Sequence, residues 1–259
     1  MHLLLWLEQS ALYNAINNDL TIVGVENRTV HTTQVNVFAC PSDPEAGRLQ
    51  LLNASALARY GVADPAFMAV TSYAGCTGSF ETTSLPLPSS GCVVNGAAAA
   101  QNNGCFHDVA PITFAAITDG LAGTILMMER SVTSLRDLDV VNPKLFLAHG
   151  WMITGNWGDT LVTAFYPPNA YKKVAVGSST ALLNAGSSEH PGGLNVLLGD
   201  GSVRVIKESI DTWPFDALTG NPTGATQSAA GVWQNAPAEG IWQVLATRNG
   251  GEATSAESF

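Results

Sequence analysis

A β-hairpin signature in residues 195–209 constrains the fold of this chain more than any other feature. The segment reads NVLLGDGSVRVIKES, with two arms rich in apolar and β-branched residues on either side of Asp200-Gly201. An Asp-Gly pair between such arms predicts a tight turn, because glycine adopts positive φ angles without steric cost. The chain is therefore expected to contain an antiparallel strand pair.

The other segments predict a helix first and strands after it. Residues 3–17, LLLWLEQSALYNAIN, carry apolar side chains at helical spacing, and residues 49–61 are also expected to be helical. β-Branched stretches within residues 21–38 and the GTILMMER segment predict strands. Residues 71–110 are rich in small side chains and lack periodicity, which indicates a long loop, either functional or pinned by a disulfide.

Composition and motifs exclude several functions. Charged residues make up 12% of the 259, and 21 Asp and Glu against 11 Lys and Arg give a net charge of −10. Nucleic acids and anionic membrane surfaces attract basic faces, so neither partner is expected. No apolar run approaches the roughly 20 residues of a membrane-spanning helix, and no signal peptide is expected. The GxSxG, HExxH, Walker and GxGxxG signatures are missing, so a non-enzymatic protein without a cofactor is expected.

Four cysteines without CxxC spacing argue against a zinc ribbon or a thioredoxin-type site. Cys92 and Cys105 flank a small, flexible segment, and a disulfide closing it would contribute about 3 kcal/mol. Of the three possible pairings we favour Cys92–Cys105 with Cys40–Cys76; four free buried thiols in a cytoplasmic protein are the alternative. The even number of cysteines in a chain of low charge favours an oxidising, extracytoplasmic setting.

His190 and the Asp200-Gly201 pair stand at the two ends of the first hairpin arm. A straight strand between them would separate them by about 20–30 Å. We therefore expect each to stabilise its own turn, Asp200 through bonds to turn amides and His190 through a hydrogen bond at the Pro191 bend. Metal ligation is the alternative role for His190.

Calcium is the one metal that isolated carboxylates in the chain suggest. Asp119 precedes Gly120, Asp159 lies in GNWGD and Asp200 lies in GDG. Carboxylates in flexible loops are typical calcium ligands, but Asp before Gly is also ordinary turn chemistry, and no DxDxDG loop is present.

Six tryptophans allow a carbohydrate-binding interpretation, because exposed aromatic faces stack on sugars. Trp6 lies in the predicted helix and is expected in the core. Trp151 and Trp157 lie in a loop-like region and are the better candidates for sugar contacts.

Five segments carry a family resemblance. LLLWLEQSALYNAIN, FACPSDP, TSYAGCTGSF and ITDGLAGTILMMERS follow one another, and HPGGLNVLLGDGSVRVIKESID places His190, Asp200 and Gly201 at the positions of an H-X9-DG motif. In this order they resemble the DUF1559 (SBP_bac_10) family, planctomycete-type prepilin-like proteins. The likeness spans residues 3–211; the family's Ser-Asn after ITDG is replaced here, where Leu121 follows Gly120.

The resemblance implies a pilin-like α+β fold, with an N-terminal helix packed on an antiparallel sheet and long variable loops. Residues 1–215 would form this domain, without the family's prepilin helix, and residues 216–259 a C-terminal extension that packs on it or frays. The implied function is a non-enzymatic structural subunit, pilin- or pseudopilin-like, exported to the cell envelope or the extracellular space. It would assemble with itself or related subunits; the alternative is a soluble extracellular module that binds carbohydrate or another ligand.

Overall fold

A five-stranded mixed sheet forms the centre of the protein. The computed structural model describes residues 3–20, 22, 24–51, 67–82, 96–107, 111–139, 149–155, 157–175 and 179–251. The strands of the main sheet are β3 (Tyr73–Cys76), β4 (Ile125–Glu129), β5 (Leu161–Val162), β6 (Gly193–Leu198) and β7 (Val203–Lys207). Their order is β5-β3-β4-β6-β7, antiparallel throughout except for the parallel pair β3 and β5. The α+β class is therefore confirmed, with a sheet that is mixed and mainly antiparallel.

The hairpin predicted around Asp200-Gly201 is confirmed. β6 and β7 pair from Gly193 opposite Lys207 to Leu197 opposite Val203. Gly201 has a φ of 86°, the left-handed conformation that the turn requires. β7 is an edge strand of the main sheet and β6 is its neighbour. The hairpin predicted from the sequence therefore forms one edge of the sheet.

β3 lies in the segment that was predicted as a loop. It is a central strand between β4 and β5, and three of its four residues are buried. A Cβ built on Gly75 would lie 2.6 Å from Cγ of Phe106, so the ring of Phe106 occupies the space of a side chain. Packing requires small residues in β3. Such residues have a low propensity for strands, so the sequence of this segment did not predict one.

The predicted N-terminal helix is divided into α1 (Leu3–Trp6) and α2 (Ser10–Asn14). Glu8 has a φ of 59°, and the Gln9 N–H donates to the Leu4 carbonyl at 2.9 Å, which is a Schellman-type helix end. The buried side chains of these helices join a cluster separate from the core of the main sheet, formed by Leu4, Leu12, Val30, Val35, Met68, Trp151 and Ile153.

Residues 25–32 and 36–38 form short helices, and the described residues between 21 and 38 contain no strand, so the strand predicted at residues 29–38 is wrong. The hydroxyls of Thr32 and Thr33 donate to the carbonyls of Arg28 and Thr29, four residues earlier, at 2.7 and 2.6 Å. In a helical turn the threonine hydroxyl finds this acceptor one turn earlier, and such bonds favour short, bent helices. The segment consists of α3 (Arg28–Thr32) between the 3₁₀ helices Val25–Asn27 and Asn36–Phe38.

The remaining elements are short. Of the helix predicted at residues 49–61, Gln50–Leu51 is instead strand β1, paired with β2 (Phe67–Met68), and residues 52–61 lie outside the described residues. The other elements are α4 (Gly96–Ala99), α5 (Val132–Asp139), α6 (Ser179–Asn184), α7 (Ile241–Val244), the strand pair β8 (Thr226–Gln227) and β9 (Trp233–Gln234), and 3₁₀ helices Phe114–Ala116, Leu121–Gly123 and Ala170–Lys172. Among the described residues, no helix has the length and apolar character to cross a membrane.

The C-terminal residues pack against the rest of the chain. Trp242 and Leu245 are fully buried in the core of the main sheet, with Ile125 and Leu194. A further cluster, distinct from the N-terminal one, is aromatic: Trp213 packs edge-to-face on Phe165, and Trp233 packs on the same ring at a tilt. The described part of the predicted extension, up to Gly251, therefore contributes to both cores.

Candidate functional site

Three side chains from separate motifs meet at the end of strand β4. The Sγ atom of Cys40 lies 3.6 Å from Oε1 of Glu129 and 3.7 Å from Nε2 of His190, and the latter two atoms are 3.2 Å apart. Cys40 and Glu129 are buried, whereas the His190 side chain is 33% exposed. The cluster is therefore closed on the protein side and reaches solvent through the imidazole.

The sheet register places these residues together. Tyr73 of β3 is opposite Glu129 of β4, and Asn195 of β6 follows on the other side, next to the Val196–Met128 pair. The Ser72 N–H donates to the Phe38 carbonyl at 2.8 Å, which brings the CPSDP segment and Cys40 to the same end of the sheet.

Hydrogen bonds fix the Glu129 carboxylate. Its Oε2 accepts from the Asn195 N–H at 2.7 Å, and its Oε1 accepts from Nδ2 of Asn195 at 2.9 Å. Burial, together with the Glu129 carboxylate, raises the pKa of the Cys40 thiol above its ordinary value, although bonds from Ser42 and Tyr73 oppose the shift. Burial likewise raises the pKa of Tyr73 to about 12. Cys40 is thus a neutral thiol in this environment, not a preformed thiolate nucleophile.

The arrangement differs from a nucleophilic triad. In a Cys-His-acid triad the histidine contacts the thiol through one ring nitrogen and the acid through the other. Here the same atom, Nε2 of His190, faces both Cys40 and Glu129. A thiol, a carboxylate and an imidazole whose donor atoms all lie within 3.7 Å of one another are instead typical of a metal-ligand set.

Asp43, in the same CPSDP segment, caps helix α5. Its Oδ2 accepts from the Val132 N–H at 2.6 Å, and its Oδ1 accepts from the N–H and the hydroxyl of Thr133 at 3.1 and 2.5 Å. The Ser72 hydroxyl adds a fourth bond at 3.4 Å. The motif acid therefore satisfies the free N–H groups at a helix start.

Arg130, next to Glu129, is a fully buried cation. Its Nη1 donates to the Gly158 carbonyl and its Nη2 to the Thr71 carbonyl at 3.1 Å. Burial lowers its pKa to about 10, and the Asp159 and Asp43 carboxylates oppose that shift. Arg130 thus remains charged at neutral pH and ties β4 to two loops.

His190 and the Asp200-Gly201 pair lie at opposite ends of β6 and do not form one site. His190 precedes the strand and contacts Cys40 and Glu129, contacts that sequence reasoning did not identify. Asp200 is exposed and accepts from the Ser202 N–H at 2.9 Å and its hydroxyl at 2.7 Å.

The three carboxylates considered for calcium lie in separate places. Asp119, next to Gly120 with its φ of 95°, accepts from the N–H groups of Gly250 and Gly251 at 2.7 and 2.8 Å. Asp159 accepts from the N–H groups of residues 150 and 151 and from a threonine hydroxyl, and Asp200 from Ser202. Each carboxylate is engaged by protein donors, and the structure brings no two of them together as ligands.

The predicted Cys40–Cys76 disulfide is wrong, because both residues are buried free thiols. Cys105 is a buried thiol as well. The predicted Cys92–Cys105 pair falls on Cys92, which lies outside the described residues. The sheet explains why Cys40 and Cys76 do not pair. Cys76, on β3, is buried in the core of the main sheet, whereas Cys40 faces Glu129 and His190.

The tryptophans have the opposite exposure to that predicted. Trp6 is 85% exposed, although it was assigned to the core. Trp151 and Trp157, the candidates for sugar stacking, are buried. Neither ring is available to a carbohydrate.

Sequence reasoning missed Cys40 and Glu129 as partners of His190. Each lies in a motif segment that was already recognised, FACPSDP and ITDGLAGTILMMERS. The sequence did contain one signal for such a site, because three of the five motif segments each carry a side chain that can bind a metal: a thiol, a carboxylate and an imidazole.

Comparison with known proteins agrees with the motifs. No curated protein and no solved structure matches the chain. One family model, described as a protein of unknown function (DUF1559), matches residues 1–212. That match includes Cys40, Glu129 and His190, and it places the chain in the SBP_bac_10 (DUF1559) family.

Proposed function

We propose that the protein is a non-enzymatic, extracytoplasmic structural subunit, pilin- or pseudopilin-like, that assembles with copies of itself or related subunits at the cell envelope. The observation that carries this proposal is the apolar surface of α1. Leu3, Leu5 and Trp6 are 54%, 48% and 85% exposed, while Leu4 alone of the four helical residues is buried. Contiguous exposed apolar side chains mark interaction surfaces in soluble proteins.

A second exposed apolar surface, on strand β7, is a weaker candidate for assembly. Val203 and Val205 are exposed on β7, at the edge of the main sheet. The same strand also exposes Arg204 and Lys207, and charged side chains on an edge strand oppose pairing with another sheet. The α1 surface carries no charged residue, so we assign the contact to α1.

Sedimentation velocity over a concentration series, with envelope fractionation of native cells, tests this function. Burying the Trp6 side chain, which is 85% exposed, would stabilise a contact by about 3–5 kcal/mol. Trp6→Glu should therefore dissociate the assembly, whereas Leu218→Glu, at a residue 72% exposed elsewhere, should not. A wild-type chain that is monomeric at all concentrations and absent from the envelope fraction would refute the proposal.

A large cavity favours one second candidate, the ligand-binding module. A cavity of about 540 Å³ lies between the N-terminal helices and the main sheet, within the range of small-molecule sites. Most of its lining is apolar, with Leu12, Phe38, Phe106 and Met127 among the side chains and Tyr73 as a polar group. This lining suits an apolar ligand better than a sugar. A hydrophobic fluorescent probe should bind the wild type and bind Met127→Glu more weakly; equal binding to both would exclude the cavity.

A further inference from the structure

We propose that Cys40, Glu129 and His190 form a binding site for a tetrahedral transition-metal ion, Zn²⁺ in the first instance. The inference is independent of the assembly function, because it rests on the positions, chemistry and surroundings of these three side chains and not on the α1 surface.

The spacing of the donor atoms fits zinc. With Zn–S near 2.3 Å and Zn–N or Zn–O near 2.0–2.1 Å, tetrahedral ligand atoms lie about 3.3–3.6 Å apart. The three distances here are 3.2 Å between Glu129 and His190, 3.6 Å between Cys40 and Glu129, and 3.7 Å between Cys40 and His190. One ion could contact all three atoms with shifts of a few tenths of an ångström.

The donor types select the class of metal. A thiol and an imidazole are poor ligands for Ca²⁺ and Mg²⁺, which take oxygen donors. Sulfur and nitrogen donors in a tetrahedral arrangement favour zinc. On binding, the ion would displace the Cys40 proton to solvent. The resulting thiolate and the Glu129 carboxylate would neutralise the two charges of the ion, which lowers the cost of placing it beside a buried strand end.

The surroundings of the cluster resemble the outer shell of a metal site. Asn195 holds both oxygens of Glu129, and Tyr73 hydrogen-bonds Cys40. A cavity of about 10 Å³, lined by Cys40 and Glu129 among others, adjoins the cluster, and this volume is close to the smallest that holds one water molecule. Three protein ligands with room for a water form an open coordination sphere.

Cobalt titration of the full chain under reducing conditions tests the site, because Co²⁺ reports its ligands by absorption. We expect one equivalent of Co²⁺, tetrahedral d–d bands and a thiolate-to-cobalt charge-transfer band, all removed by added Zn²⁺. Cys40→Ser should abolish the charge-transfer band, whereas Cys105→Ser, at another buried free thiol, should keep it.

Two further variants separate ligands from neighbours. Asn195→Ala removes an outer-shell bond and should weaken binding by about 10–100-fold. His190→Gln removes a ligand and should weaken it by more than that. The proposal is overturned if the folded wild type binds no stoichiometric Co²⁺ or Zn²⁺, or if Cys40→Ser retains the charge-transfer band. The wild-type spectrum decides the matter even if a variant fails to fold.

Discussion

Substituting Asp43 by alanine removes the acceptor for several donors that converge on one buried carboxylate. Two of them are the backbone N–H groups of Val132 and Thr133 in the first turn of α5, and the Ser72 hydroxyl is a third. Loss of an N-cap costs about 0.5–2 kcal/mol, and each buried donor left without a partner costs about 1–3 kcal/mol. The carboxylate also faces the buried Arg130 cation. Allowing for partial relaxation, we expect Asp43→Ala to lower the free energy of unfolding by about 3–5 kcal/mol.

Urea denaturation followed by circular dichroism measures this loss as a shift of the midpoint at constant slope. Asp43→Asn keeps one acceptor oxygen and should fall between the wild type and alanine. Asp200→Ala is the matched control, because Asp200 also bonds backbone N–H and hydroxyl groups but is exposed. The reasoning is refuted if Asp43→Ala costs less than about 1 kcal/mol, or no more than Asp200→Ala.

Three other results should follow from buried groups. Burial raises the pKa of Asp159 to about 6 from 3.8; the folded state then binds that proton more tightly, so stability should fall as pH rises from about 4 to about 6. Asp159→Asn should flatten this slope in pH-dependent unfolding, and an unchanged slope would contradict the assignment. Cys40 and Cys76 should both be alkylated in denaturant without reductant, and a disulfide-linked peptide in the mass spectrum would contradict the structure. Gly75→Ala should destabilise by about 1–3 kcal/mol through overpacking, whereas Gly96→Ala, with open space around it, should not lower the melting temperature.

Local signals predicted the elements whose conformation is decided locally. The β6–β7 hairpin follows from Asp200-Gly201, and β4 follows from its run of apolar residues. β3 could not be found this way, because Gly75 is small to fit the Phe106 ring, 31 positions later in the sequence. The packing partner determines that strand, and a single sequence does not reveal the partner.

The candidate site was predicted only in part, for the same reason. His190 was singled out, but its partners Glu129 and Cys40 are 61 and 150 residues away along the chain. Cys40 was interpreted as half of a disulfide because the chain has an even number of cysteines. That number carries no information about the carboxylate and the imidazole that the sheet register places beside Cys40. Family motifs gave the segments, and the pairing of β4 with β3 and β6 brings them together.

A metal bound by Cys40, Glu129 and His190 would connect three segments that are distant in sequence, and it would therefore stabilise the folded chain. Stabilisation by metal and assembly through α1 can be measured separately, so the two proposals can be tested apart. A ligand that binds only the folded state stabilises it by about 4 kcal/mol when its concentration is 1,000 times the dissociation constant. Zn²⁺ should therefore raise the melting temperature of the wild type and of Trp6→Glu equally, since Trp6 is exposed and lines neither cavity. Cys40→Ser should lose the thermal shift but still assemble. If Trp6→Glu lost the thermal shift together with assembly, the metal would act between subunits, and the site assigned here to one chain would have to be reassigned to an interface.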